Sequence, residues 1–188
     1  MDWVEEIKRY KSYNEQEQKD KEIILTCISR FDDIWTRSNE LAHLTSSAFV
    51  VNKDRDKVLM VHHNIYNAWS WTGGHADGDR DLLAVALREL REETGIHAAE
   101  PTAGIFSLDV LPVLAHRRRG HYVPAHLHLS VAFLVTADES KPLVVKEDEN
   151  SAVKWVPANK VIGSTNEPHM QKLYEKLLTK IAQKEGLR

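Results

Sequence analysis

The residues best suited to chemistry lie between Gly73 and Ile96, in the stretch GGHADGDRDLLAVALRELREETGI. Glu89, Glu92 and Glu93 fall at adjacent helical positions, because residues three and four apart share a helix face. Like charges there repel, so an isolated helix gains nothing from the grouping. A divalent cation reverses the sign, since hard cations take carboxylate and carbonyl oxygens. Gly73 and Gly74, just before the helix, leave room for the backbone to approach a ligand closely.

The elements that must position this segment can be read from the rest of the chain. With 188 residues it is long enough for one domain with a sizeable core and a small appendage. A net charge of -3 argues against a dedicated nucleic-acid binder. Cys27 is the single cysteine, so no internal disulfide forms and a reducing, cytoplasmic setting is expected. It sits in an apolar helical run and reads as a small packed side chain. No apolar stretch approaches the ~20 residues that span a bilayer. Ten histidines are present, without the sequence spacing of a zinc motif.

Residues 1–42 read as a helical N-terminal extension, with Trp3, Ile7 and Tyr10, then Ile23, Ile24, Cys27, Ile28, Phe31, Ile34 and Trp35, at helical spacing. Residues 43–188 form the main domain. LTSSAFVVN and KVLMVHH are strands of a hairpin joined by KDRD. Trp69 and Trp71 alternate along a short strand. Asp79 is expected to cap a helix from about Arg80 to Thr94, with Leu83, Leu87 and Leu90 as its core stripe and Gly95 as its stop. Two further strands flank the basic loop HRRRGHYVP, and the second carries His126, His128 and Ser130 on one side. These histidines read as solvated or cleft-lining in preference to metal-ligating, because the Glu-rich segment favours magnesium or manganese. KEDEN is an acidic loop before a strand with Trp155, and Pro168 opens the last helix. This order, without regular β-α alternation, gives an α+β domain with a mixed sheet.

The central segment resembles the Nudix box of the Nudix hydrolase superfamily. Gly74 begins the pattern, and Arg88, Glu89, Leu90, Arg91, Glu92, Glu93, Thr94, Gly95 and Ile96 complete its second half without a mismatch. The first glutamate of the pattern is replaced by Arg80, which reverses a charge and could draw a carboxylate away from a metal. Asp77, Asp79 and Asp81 are placed to compensate. The resemblance implies an α/β/α sandwich and metal-dependent hydrolysis of a diphosphate linkage in a nucleoside diphosphate derivative or related nucleotide. It implies Mg2+ or Mn2+ held by Glu92, Glu93 and the carbonyl of Gly73. Glu89 would be a further metal ligand or the general base, and Arg88 would hold the carboxylates in place, at ion-pair spacing to Glu92. Members of the superfamily often add an acidic residue from a loop outside the box; of Glu147, Asp148 and Glu149, the reading favours Glu149. Some members form dimers, and a homodimer is expected on that ground.

Selectivity would come from outside the box. Tyr66, Trp69 and Trp71 are candidates to stack on a planar group, although each also suits the core. Arg117, Arg118 and Arg119 are candidates for a terminal phosphate, and His121, His126 and His128 for polar contacts in a cleft. The substrate is expected to be a small nucleotide or other diphosphate, with no stable nucleic-acid or membrane partner. Two other readings use the same residues. Arg80 and the extra N-terminal helices suit a nucleotide-binding module with weak turnover. Isopentenyl diphosphate isomerisation would call for a catalytic cysteine, and Cys27 lies outside the domain.

Overall fold

A computed structural model describes residues 2–65, 67–118 and 120–186, without the side chains of 118 and 184–186. In chain order the elements are α1 (Trp3–Arg9), α2 (Glu15–Arg30), β1 (Ala42–Val51), β2 (Lys57–His63), β3 (Ala68–Ser70) and β4 (Thr72–His75). Then follow α3 (Leu82–Thr94), β5 (Ala99–Pro101), β6 (Ser107–Val113), β7 (His116–Arg118), β8 (His121–Val123) and β9 (His126–Ala137). The chain closes with β10 (Asn150–Pro157), α4 (Ala158–Val161), a short 3-10 turn and α5 (Pro168–Gly186). The main strand order is β10-β2-β1-β9-β5, with β3 on β2, β4 on β1 and β6 on β9. Helices and sheet give the α+β class expected from the sequence. No helix among the described residues is long and apolar enough to cross a membrane.

The chain divides into two compact units, and β1, β9 and α3 supply residues to both. The first contains residues 1–47, 73–86 and 103–133. Here α1 and α2 are tied to β6 by polar contacts. Glu17 of α2 is fully buried and accepts hydrogen bonds from the Tyr10 hydroxyl at 2.8 Å and the Ser107 hydroxyl at 3.0 Å. The same hydroxyl lies 2.9 Å from the carbonyl of Phe106, so its one proton is shared between the two acceptors, and Asp20 accepts from the backbone N–H of Val110. Trp3 packs edge-on against Phe133, and its indole N–H donates to Asp81 at 3.3 Å. The polar residues of SYNEQEQKDKE therefore make specific bonds, a role that their composition alone did not reveal.

Several expectations change in this unit. The helical reading of residues 2–42 holds for 3–9 and 15–30 only. Phe31 is the extended cap that ends α2, and residues 32–41 form turns, although Ile34 and Trp35 are buried as their spacing suggested. The basic loop is itself a two-stranded hairpin, β7 with β8. Helix α3 begins two residues later than expected, and Asp81 is its cap: the Asp81 carboxylate accepts from the N–H of Ala84 at 3.1 Å, while Asp79 accepts from the N–H of Asp81.

The second unit contains residues 48–72, 87–102 and 134–186 of the described chain. The β1–β2 hairpin closes with Val51 opposite Val58. β2 pairs with β10 over Lys57–His63 and with β3 on its other edge. Phe49, Trp71 and Tyr174 meet ring to ring in the core, and the Tyr174 hydroxyl accepts from the N–H of Trp71. Gly95 ends α3 with φ +76, and a Cβ there would come within 2.8 Å of Val144. The carbonyl of Thr94 accepts from the N–H of Val144, so the turn also fixes the start of the loop that leads to Lys146.

The buried stripe of α3 is Leu82, Val85, Ala86, Leu90 and Glu93, whereas Leu83 and Leu87 are only half-buried. Because 82, 86, 90 and 93 recur at three and four residues, Glu93 continues the core stripe. The capping assignment predicts that Asp81→Ala lowers the unfolding free energy by about 1–2 kcal/mol, read by urea denaturation. Asp79→Ala is expected to cost less, and an equal or larger loss for Asp79→Ala would reverse the assignment.

Candidate active site

Glu89, Arg88, Glu92, Glu93, Lys146, Glu149 and Asn150 all lie in the second unit. Glu92 stands partly exposed on α3, and Lys146 Nζ lies 3.5 Å from it and 3.0 Å from Glu149. One ammonium group thus joins the box carboxylate to the acidic loop. Within KEDEN, Glu149 is the acid that meets this ammonium. Its backbone is also fixed, because the Glu149 carbonyl accepts from the N–H of Asn64.

Arg88 lies 3.4 Å from Glu89 and 4.0 Å from Glu92, the latter at the i,i+4 spacing. Glu89 is mostly enclosed, with 15% of its side chain exposed. Burial first, and the neighbouring Glu92 charge second, push its carboxyl above the usual glutamate range, against Arg88 and Lys146. Glu93 is 4% exposed and accepts a hydrogen bond from the side-chain amide of the buried Asn150. The amide oxygen of Asn150 has no hydrogen-bond partner among the described residues. Lys146 and Asn150 were missed in the sequence. Their one visible signal is position, since they flank Glu149 in the acidic loop.

In the first unit, Gly73 lies against β1. A Cβ there would come within 2.8 Å of the Ser46 carbonyl, so strand packing alone requires a glycine. The next loop is pinned to the N-terminal region: Gly78 donates to the carbonyl of Trp35, and Arg37 forms a two-pronged ion pair with Asp77. The Arg80 guanidinium lies 4.2 Å above the Trp35 ring. That stack is a cation–π contact within the first unit.

A search against known families matches the NUDIX domain over residues 41–177. This chain belongs to the NUDIX family. Among curated proteins, Xenopus laevis nucleoside diphosphate-linked moiety X motif 6 is 45% identical over 51 residues, covering 26% of this chain and 24% of that protein. The Xenopus laevis m7GpppN-mRNA hydrolase NUDT17 is 31% identical over 121 residues, covering 58% of this chain and 40% of that protein. The chain therefore aligns with less than half the length of either relative. Among solved structures, a C. elegans Ap4A hydrolase binary complex superposes with TM-score 0.57 at 16% identity, covering 77% of this chain and 98% of that one. The E. coli dihydroneopterin triphosphate pyrophosphohydrolase gives 0.56 at 16% identity, covering 72% and 94%. At these identities the structural likeness speaks for the NUDIX fold.

The residues expected to select a substrate are placed differently from one another. Trp71 is 7% exposed in the ring cluster with Phe49 and Tyr174, so it belongs to the NUDIX core and not to a binding surface. Trp69 is half-buried; the Lys154 ammonium lies 3.9 Å over its face, and His62 meets its edge. Arg117 is exposed on β7 and donates to the carbonyl of Gly120. Tyr66, Arg119 and the side chain of Arg118 lie outside the described residues. His121 is exposed on β8. His126 and His128 are half-buried and gathered with His43 and His75, all in the first unit, with ring centres 4.8–5.1 Å apart for the neighbouring pairs. Burial and the adjoining imidazoles push His128 down to about 2, and burial lowers His43 as well. Cys27 is pushed up by burial on α2, the direction for an unreactive thiol.

A folded-state carboxyl raised above its unfolded value gives stability that is present at low pH and lost as pH rises through the folded value. Glu89 is such a group. In chelator, Glu89→Gln is therefore expected to raise the thermal midpoint at pH 7, with the gain vanishing below about pH 4, where the carboxyl is protonated in both states. A gain that persists undiminished at low pH would point to packing instead.

Proposed function

We propose that this chain is a pyrophosphohydrolase that cleaves a diphosphate linkage in a nucleoside diphosphate derivative or related nucleotide, with Mg2+ or Mn2+. The observation that carries the reading is the meeting of Glu92 and Glu149 on one ammonium group, beside Glu89 and Arg88. The printed names of the relatives add support: an mRNA cap hydrolase, an Ap4A hydrolase and a triphosphate pyrophosphohydrolase all act on phosphoanhydrides.

The donor set fits a hard divalent cation. Glu89, Glu92 and Glu149 offer oxygens around a position that already attracts a positive charge, and Glu93 adds a buried carboxylate on the same helix. These four residues would hold the ion. When bound, it would neutralise phosphate charge and lower the pKa of a coordinated water toward neutrality.

The chain's own groups have separate tasks. Glu89, whose burial favours the protonated form, would act either as a further metal ligand or as the base that takes a proton from water. Arg88 restrains Glu89 and Glu92 against their mutual repulsion. Asn150 fixes the rotamer of Glu93 through its amide. Lys146 holds the acidic loop toward α3, and its ammonium would yield its place to the cation or turn to a phosphate oxygen. Water attacks phosphorus and the anhydride oxygen leaves with the bond pair, giving two phosphate-bearing products.

The binding-module reading rests on Arg80 and the extra N-terminal helices, and Arg80 stacks on Trp35 of that N-terminal region. Assay of nucleotides, nucleotide sugars and dinucleotides with Mg2+ or Mn2+ is expected to find turnover. The double change Glu92→Gln with Glu93→Gln should lower kcat/KM by about 10³-fold or more, a loss of ~4 kcal/mol of transition-state stabilisation. Unchanged turnover in that variant would overturn the proposal. Arg80→Glu is expected to change kcat/KM by less than about threefold, or ~0.7 kcal/mol. Negligible wild-type turnover restored by Arg80→Glu would instead establish the binding module.

A further inference from the structure

The carboxylates do not account for the four gathered histidines. They arrive from three strands whose positions are set by backbone bonds within the first unit. The N–H of Ala76 donates to the carbonyl of Leu44 at 3.0 Å, which sets the end of β4 beside the start of β1 and brings His75 to His43. The N–H of Leu127 donates to the carbonyl of Leu41 at 3.0 Å, which brings His126 and His128 to the same place. One ring nitrogen each from His43, His75 and His128 lies within 4.8 Å of the other two.

The tautomers are as informative as the distances. His43 Nδ1 lies 3.0 Å from the carbonyl of Asn39, and a carbonyl can only accept, so Nδ1 carries the proton. His43 Nε2 therefore presents a bare lone pair. That atom is buried and has no hydrogen-bond partner among the described residues. A buried acceptor left unsatisfied is destabilising. His126 shows the same arrangement, with Nδ1 2.8 Å from the carbonyl of Pro124 and Nε2 turned toward His128 Nε2 at 3.3 Å. A backbone carbonyl on one ring nitrogen and a lone pair on the other is how metal-ligating histidines are oriented.

We propose that His43, His75 and His128 bind one divalent transition-metal ion, with zinc the best match, at a site separate in its ligands from the carboxylates of α3. Three imidazole nitrogens suit zinc and its transition-metal neighbours, whereas magnesium takes oxygen donors. Zinc–nitrogen bonds of about 2.0–2.1 Å put tetrahedral ligands ~3.3 Å apart. The present separations, up to 4.8 Å, require small rotations of the rings toward a common centre. His126 stands beside the remaining position, which would hold its Nε2 or a water. The ion would supply the partner that His43 Nε2 lacks and would join β1, β4 and β9.

Titration of the full chain with Zn2+ in competition with a chromophoric chelator, in excess Mg2+, tests this. One equivalent should bind, and Co2+ should give the intense visible bands of a tetrahedral site. His43→Asn and His128→Gln should each weaken Zn2+ binding by more than ~100-fold, beyond the ~10–100-fold that follows loss of a group behind a ligand. Glu92→Gln with Glu93→Gln should leave it unchanged, which separates this proposal from that of hydrolysis. Should His43→Asn fail to fold by circular dichroism, His75→Asn, at the half-exposed end of β4, is expected to show the same loss. The proposal is overturned by the absence of saturable binding, by binding that survives in the folded histidine variants, or by binding that disappears in the glutamate variant.

Discussion

Mutual repulsion among carboxylates is the constraint around which the second unit is arranged. Glu89 and Glu92 are three residues apart on one helix, and Glu149 approaches from a loop. A protein holds such charges together only by supplying compensation, and three kinds are present. Arg88 spans Glu89 and Glu92 along the helix, Lys146 spans Glu92 and Glu149 across the loop, and the neutral amide of Asn150 serves the buried Glu93. Burial first, and the Glu92 charge second, still raise the Glu89 carboxyl against Arg88 and Lys146. Carboxylate oxygens are the donors that hard divalent cations take.

The helix that bears these charges is held at both ends. At its start, Asp81 caps the first turn and also accepts from the indole of Trp3. At its end, Gly95 takes a left-handed conformation and the carbonyl of Thr94 receives the N–H of Val144. Between them the buried stripe runs from Leu82 to Glu93. The N-terminal helices are thus bonded into the structure that presents the helix start, through Trp3, Glu17 and Asp20.

Local patterns in the sequence were read well where one element contains the whole signal. The β1–β2 hairpin, the C-terminal glycine stop and the intrahelical Arg88–Glu92 spacing are of this kind. Patterns that needed to know which neighbour an element packs on were read less well. Ile34 and Trp35 carry helical spacing but sit in turns, because burial alone does not require a helix. Leu83 and Leu87 look like core residues, yet the helix is rotated so that Val85 and Ala86 face inward. Trp71 suited either a stacking surface or the core, and its contacts with Phe49 and Tyr174 place it in the core.

By itself, the sequence determined the chemistry of α3: three glutamates at helical spacing, an arginine among them, and a glycine to end the helix. These are relations between residues three or four apart, and helix geometry alone converts them into positions in space. Tertiary structure alone decided which distant groups meet those residues. Lys146 and Asn150 reach α3 across more than 50 positions of chain, at |i−j| of 54 and 57. His43 and His128 share one cluster although 85 positions apart in the chain, brought there by strand pairing that no spacing rule encodes. Arg80 likewise meets a tryptophan 45 positions earlier in the sequence.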